Sequence, residues 1–236
     1  MINLSELEND ALVEIFNIGV GHAAAAMSEI VNEEVTMSVP SISFMNRDDA
    51  AALLGSKKDD ERICGISQHY DGAFTTEAIL MFPEDKSLEI VRLMVGDAMP
   101  LQELTEMEQE AMSEIGNIIL NACVGTLANL FDSELHGSLP VYHLGTSAEI
   151  LSSFGGQEEE AVVLMLHIDF VLSRHQIHGY VAFVLDLSAL HDLKQQVSHY
   201  LAKVLDRRDD HAGCLAPTRS AREHTRCREP GRHRAR

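Results

Sequence analysis

Residues 11–30 read ALVEIFNIGVGHAAAAMSEI, and residues 113–130 read SEIGNIILNACVGTLANL. The first stretch has the apolar spacing of a long core helix. It nevertheless places Glu14 and Asn17 one turn apart and interrupts the pattern with Gly19 and Gly21. A glycine inside a helix costs about 1 kcal/mol relative to alanine, so two of them need a physical reason. The second stretch repeats the polar pair as Glu114 and Asn117.

Helical residues advance by about 100° each. With Glu14 as zero, Asp10 falls at about −40°, Asn17 at about −60°, Gly21 at about −20°, Ala25 at about +20° and Ser28 at about −40°. This is one narrow stripe of polar and small side chains. Leu12, Phe16, Ala23, Met27 and Ile30 fall on the opposite side, the expected core face. The stripe recurs as Glu110, Glu114, Asn117, Asn121, Gly125 and Ala128, and neither stripe contains a lysine. Gly21 and Ala25 lie where bulk would block an approaching surface. Gly19 lies on the packed side, where close backbone approach is the expected reason for it.

The duplication extends beyond the helices. With residue i set against i+100, Glu14 meets Glu114, Asn17 meets Asn117, Pro40 meets Pro140 and Ile18 meets Ile118. A chance match of Glu, Asn and Pro together is about one in ten thousand per alignment at average residue usage. The repeat predicts two homologous halves, about 1–99 and 100–206, in one domain. Each begins with a long helix, about 6–31 and 106–131. A proline-containing extended segment follows, 33–45 and 133–144, and then two strands, 62–70 with 74–82 and 161–170 with 176–187. A shorter helix closes each half, about 84–97 and 188–204. The expected fold is α/β, a pseudo-twofold repeat of two helix–three-strand–helix halves. Its sheet is shared or adjoining, with the long helices on one face.

Charge and composition narrow the function. Of 236 residues, 45% are hydrophobic, as in ordinary globular proteins. No uncharged apolar run of 18 residues is present, and the acidic start MINLSELEND lacks the basic and apolar regions of a secretory signal. The expectation is a cytoplasmic protein without membrane insertion. Residues 1–206 hold 9 Lys/Arg against 33 Asp/Glu, whereas 207–236 hold 9 Arg against 4 acids. The acidic body argues against nucleic acid and suits a partner with basic residues around its contact site. The Arg-rich segment 207–236 has almost no large apolar residues and is expected to be disordered, either as an unselected extension or as a basic interaction arm. Cys64, Cys123, Cys214 and Cys227 show neither CxxC nor zinc spacing, and the first two are expected as buried thiols.

The chemistry available to the stripe is limited and specific. A carboxamide donates and accepts hydrogen bonds without titrating, so it can hold a water in line with a phosphoryl group. A carboxylate one turn away can pair with a partner's cation or take a proton. No base or nucleophile stands beside them in sequence, which favours residues that complete another protein's site. GVG at 19–21 lies inside a helix and not at a strand–helix turn, so it is not a nucleotide loop. His167, Asp169, His175 and His178 fall on adjacent strands and are expected as surface or packed residues, with no metal.

The doubled pattern resembles the CheC-type chemotaxis phosphatases. The family pattern of an acidic or serine residue, Glu, Asn and Pro is met by Asp10, Glu14, Asn17 and Pro40. It is met again by Glu110, Glu114, Asn117 and Pro140, where Glu110 replaces the usual Asp or Ser. The resemblance covers about residues 4–205 and is closest to the two-site members; the CheX type carries one functional copy. It implies hydrolysis of the aspartyl phosphate on a CheY-type response regulator. Asn17 and Asn117 would orient the attacking water, and Glu14 and Glu114 would contact the regulator. Asp10, Gly21, Glu110 and Asn121 would line the docking surface, and Pro40 and Pro140 would be structural. The chain would need no cofactor of its own, since the Mg2+ would belong to the regulator. The receptor deamidase CheD is implied as a further partner. Both sites are expected to be competent at unequal rates. The rival reading is a non-catalytic adaptor that docks a response regulator or CheD.

Overall fold

The computed structural model describes residues 4–55, 62–95, 101–154, 161–172 and 175–213, with backbone alone for 95, 101–106 and 206–213. Met1–Ala202 forms one compact unit and Lys203–Arg236 a second. The elements in order are α1 (Glu6–Val31), β1 (Val35–Asn46), α2 (Arg47–Leu54), β2 (Ile63–Gly72), β3 (Thr76–Pro83), α3 (Glu84–Val95) and α4 (Leu101–Leu130). They continue with β4 (Leu135–Gly137), β5 (Val141–Gly145), α5 (Ser147–Ser152), β6 (Val162–Leu172), β7 (His175–Leu185) and α6 (Leu187–Gly213).

The fold is α/β around one antiparallel sheet of order β1-β6-β7-β3-β2-β4, with β5 also on β2. The order has a pseudo-twofold relation between β7 and β3. It also shows an exchange that the repeat did not predict: β1 pairs with β6 of the second half, and β4 and β5 pair with β2 of the first.

Alternation along the strands sorts two cores. Leu164, Leu166, Ile168 and Phe170 face α1 and α4 with Leu12, Phe16 and Ile115. Val163 and Met165 face the other way, toward Ala50 and Leu54 of α2 and Ile150 and Leu151 of α5. The sheet is therefore covered on both faces, and the long helices occupy one of them as expected. The short helices are an addition. Asn46 accepts from the Asp49 N–H at the start of α2, and Thr146 with Glu149 forms a reciprocal capping box on α5.

Ile30 corrects the expected core face of α1. Leu12, Phe16, Ala23 and Met27 are buried, but Ile30 is 55% exposed: by the last turn the buried face has moved round the helix, so that Val31 packs against the core instead. The 133–144 segment is two strands, not one. Helix α6 runs to Gly213, seven residues into the segment expected to be disordered, and 214–236 lie outside the described residues, as do Cys214 and Cys227. Cys64 and Cys123 are buried thiols, and burial pushes each up to about 12. By length and composition alone, α1 and residues 107–130 of α4 could cross a membrane; here each turns its apolar face to the core.

Gly19 sets the approach of α1 to α4. A methyl group there would lie 3.0 Å from the Cys123 Cα and 3.2 Å from the Ala122 carbonyl oxygen. Gly21 has open space around it. Gly19→Ala is therefore expected to destabilise by about 1–3 kcal/mol through forced separation of the helices. Gly21→Ala is expected to stabilise by about 1 kcal/mol. Paired urea denaturation curves check both signs.

The N-terminus of α1 is pinned from two sides. Ser5 and Glu8 form a capping box, and the second Glu8 oxygen accepts from Ser198 Oγ of α6 at 2.7 Å. The Ser198 bond is the main cause that holds the Glu8 carboxyl below its ordinary range.

Candidate functional site

The expected stripe is on the surface. Asp10, Glu14 and Gly21 are exposed and Asn17 is half-buried on α1; Glu110, Glu114 and Asn121 are exposed and Asn117 is half-buried on α4. Gly21 and Gly125 would each accept a side chain without meeting any atom within 4 Å. The apolar face of each helix supplies this orientation, since Ile15 and Phe16, and Ile115 and Ile119, turn their helices into the core.

The prolines act through the strand edges. Ser38 lies opposite Asp169 and Ser41 opposite His167, so Val39 and Pro40 together face Ile168. One extra residue in a ladder is a bulge, and proline has no N–H to give to it. The same irregularity recurs on the other edge. Gly137 lies opposite Tyr70 and Val141 opposite Ser67, so Ser138, Leu139 and Pro140 span Gln68 and His69.

The bulge explains the spacing of Asn17 and Pro40. It releases the N–H and carbonyl of Val39 from the ladder, and Val39 is only 1% exposed. Asn17 satisfies both groups: its Oδ1 accepts from Val39 N at 2.9 Å and its Nδ2 donates to Val39 O at 3.0 Å. The remaining Nδ2 hydrogen goes to Val13 O at 2.9 Å. The amide orientation is fixed by the Val39 N–H, which needs an acceptor. Among the described residues no second donor reaches Asn17 Oδ1, which leaves it one lone pair.

Asn117 is held differently. Its Oδ1 accepts from Asn121 Nδ2 at 2.7 Å and from Gln68 Nε2 at 3.2 Å. Gln68 Nε2 also donates to Ser138 O at 2.8 Å, and Tyr70 OH bonds Gln68 Oε1 and Asn121 Oδ1, each at 3.0 Å. The Ser138 carbonyl demands a donor, which fixes Gln68 and through it Asn117. Among the described residues none accepts from Asn117 Nδ2, so this carboxamide turns its N–H groups outward. Two replacements cause the difference. Gly21 and Ile168 have no hydrogen-bonding side chain, whereas their counterparts Asn121 and Gln68 do.

Gln68, Tyr70, Ser138 and the Val39 backbone are the parts of the site that sequence reasoning missed. Leu139, beside Ser138, is 84% exposed, while its counterpart Val39 is buried. The i+100 alignment contains the Gln68/Ile168 contrast, but only strand register shows that it bears on Asn117.

The four residues weighed as metal ligands separate. His175 lies on the sheet face of the long helices and pairs with Glu89 of α3 at 2.9 Å, whereas the other three lie on the opposite face. His167, Asp169 and His178 converge, with Asp169 Oδ1 2.7 Å from His178 Nδ1 and 3.8 Å from His167 Nε2. In the first half, His69 lies between Glu77 at 2.7 Å and Asp71 at 3.0 Å. The hydrogen bond to Glu77, foremost, raises its pKa. Because the raised group belongs to the folded state, its contribution is full below the unfolded value of about 6.5 and is lost as pH rises through the folded value. His69→Asn is expected to flatten the fall in stability above neutral pH, as read from denaturation midpoints across that range.

Comparison with known proteins finds relatives by sequence and by fold. A model of the CheC-like family matches residues 7–44, which hold Asp10, Glu14, Asn17 and Pro40. The CheY-P phosphatase CheC of Bacillus subtilis (strain 168) is 27% identical over 152 residues, covering 63% of this chain and 72% of that protein. The flagellar motor switch phosphatase FliY of the same organism is 28% identical over 145 residues, covering 58% of this chain but only 36% of that longer protein. The crystal structure of Thermotoga maritima FliY shares the fold, with a TM-score of 0.67 at 19% identity over 86% of this chain and 99% of that one. By the motif with its spacing, by these relatives and by the shared fold, this chain is similar to the CheC-type chemotaxis phosphatases.

Proposed function

We propose that this chain hydrolyses the aspartyl phosphate of a CheY-type response regulator. The observation that carries the proposal is the duplicated, solvent-facing Glu–Asn stripe in a chain whose relatives are CheC and FliY. Water attacks phosphorus, the bond to the regulator's aspartate breaks, and phosphate and free carboxylate result. Asn17 and Asn117 orient that water. Glu14 and Glu114 contact a basic residue at the regulator's site, and Asp10, Gly21, Glu110 and Asn121 frame the docking surface. Mg2+ belongs to the regulator, and the setting is cytoplasmic.

The two carboxamides work with opposite polarity in this mechanism. Asn17 offers an acceptor, suited to a water O–H, whereas Asn117 offers donors, suited to the water oxygen or a phosphoryl oxygen. Competence at both sites with unequal rates follows from this difference. The exposed Leu139 gives the second site an apolar contact that the first lacks. Leu139→Ser is expected to raise KM severalfold with little change in kcat, measured as phosphate release at varied regulator concentration.

The proposal is tested by phosphate release from a phosphorylated regulator with and without the chain. Acceleration supports hydrolysis. Binding without acceleration supports the second reading, an adaptor for a response regulator or a CheD-type deamidase. The use of both Asn17 N–H groups on the protein's own backbone is what favours that reading at the first stripe.

A further inference from the structure

We propose that His167, Asp169 and His178 bind a divalent transition-metal ion of the zinc class on the sheet face opposite the stripes. The placement follows from strand geometry. Val163, Met165, His167 and Asp169 alternate onto one face of β6, and the first two pack against the α2 and α5 side. Asp169 and His178 are direct cross-strand partners, and His167 stands two residues along on the same face. Three donors of the kind that zinc prefers are thereby brought together from two adjacent strands.

Their spacing suits an ion. A tetrahedral centre with ligands at about 2.0–2.2 Å needs donor atoms about 3.3–3.6 Å apart. The observed 2.7 and 3.8 Å separations from Asp169 Oδ1 bracket that range, and the three ligand atoms lie within 4.8 Å of one another. Sub-ångström shifts of side chains would complete the set. The His167 ring is already steadied by Tyr180, stacked at 5.2 Å. Beyond the cluster, Ser38 and Ser41 occupy the exposed β1 positions opposite Asp169 and His167.

The other half offers an internal comparison. At the equivalent positions Ser67 stands for His167 and His69 for Asp169, and Glu77 faces His69 where His178 faces Asp169. One imidazole between two carboxylates makes an ion pair. Two imidazoles around one carboxylate make a ligand set for an imidazole-seeking divalent ion. The ion would clamp β6 to β7 and take no part in chemistry at the stripes, so its presence does not depend on the function proposed above.

Equilibrium dialysis of the full chain against micromolar Zn2+ tests the site. Cys214→Ser and Cys227→Ser are included to remove competing thiols. One bound ion is expected, with affinity at least about tenfold weaker in His167→Ala/His178→Ala and unchanged in His175→Ala. Co2+ should give the intense visible absorption of a four-coordinate centre, lost in the same double variant. His178→Gln, which keeps a polar side chain on the strand, should lose binding while its metal-free melting temperature stays that of the parent. Uptake unchanged in the double variant, or no saturable ion in the parent, overturns the proposal.

Discussion

With Asn17→Ala and Asn117→Ala combined, phosphate release from a phosphorylated regulator is expected to fall to the regulator's own spontaneous rate. The loss should be about 10²–10³-fold, the usual effect of removing a positioned polar group that acts in the transition state. Each single change should leave partial activity, because the stripes lie on different helices and their hydrogen-bond networks share no residue. A folded double variant that still accelerates release would reject the mechanism. The measurement needs a structural control, since the two positions differ in what else they hold.

That difference is the second large effect. Asn17→Ala removes the partners of a buried N–H and a buried carbonyl on Val39. Unpaired buried polar groups cost about 1–3 kcal/mol each, so a loss of about 2–6 kcal/mol is expected. At the lower end, for a chain of this size, the melting temperature should drop by about 4–8 °C. Asn117→Ala should cost less than about 1 kcal/mol. Gln68 keeps Ser138 as acceptor, and Asn121 is exposed and can turn to water. Thermal melts of the two single variants check the contrast, and equal losses would mean that the Val39 clamp is not the dominant contact. Activity of Asn17→Ala should accordingly be measured well below its melting range.

The surface of the site was legible in the sequence because helical periodicity and duplication are local signals. Glu14, Asn17 and Gly21 were placed outward by angle alone, and Gly19 inward, where it meets the Cys123 backbone. The strand bulges were not legible. Pro40 and Pro140 marked an irregularity, but which backbone groups they release depends on the register with β6 and β2. Opposite amide polarity at Asn17 and Asn117 depends in turn on that register, through Ile168 and Gln68. The short helices α2 and α5 escaped because eight and six residues carry little periodicity, although Thr146 and Glu149 held the capping signature. Ile30 misled because a fixed angle assumes one straight stripe, whereas the buried face moves round α1 between Leu12 and Val31.

The exchange of strands between the halves has a consequence for how the chain is made. Strand β1 leaves the ribosome early, but among the described residues its one partner in the sheet is β6, whose synthesis ends roughly 120 residues later. At about 5–20 residues per second, the strand waits on the order of 6–24 s with its edge unpaired. Neither copy can close its share of the sheet during translation, and the first cannot serve as a finished template for the second. Completion of the sheet therefore waits for nearly the whole chain, through contacts of long sequence separation, and so is slow. The nascent first copy spends that interval as the form most open to pairing with the wrong neighbour, the matching strand of another chain on the same message.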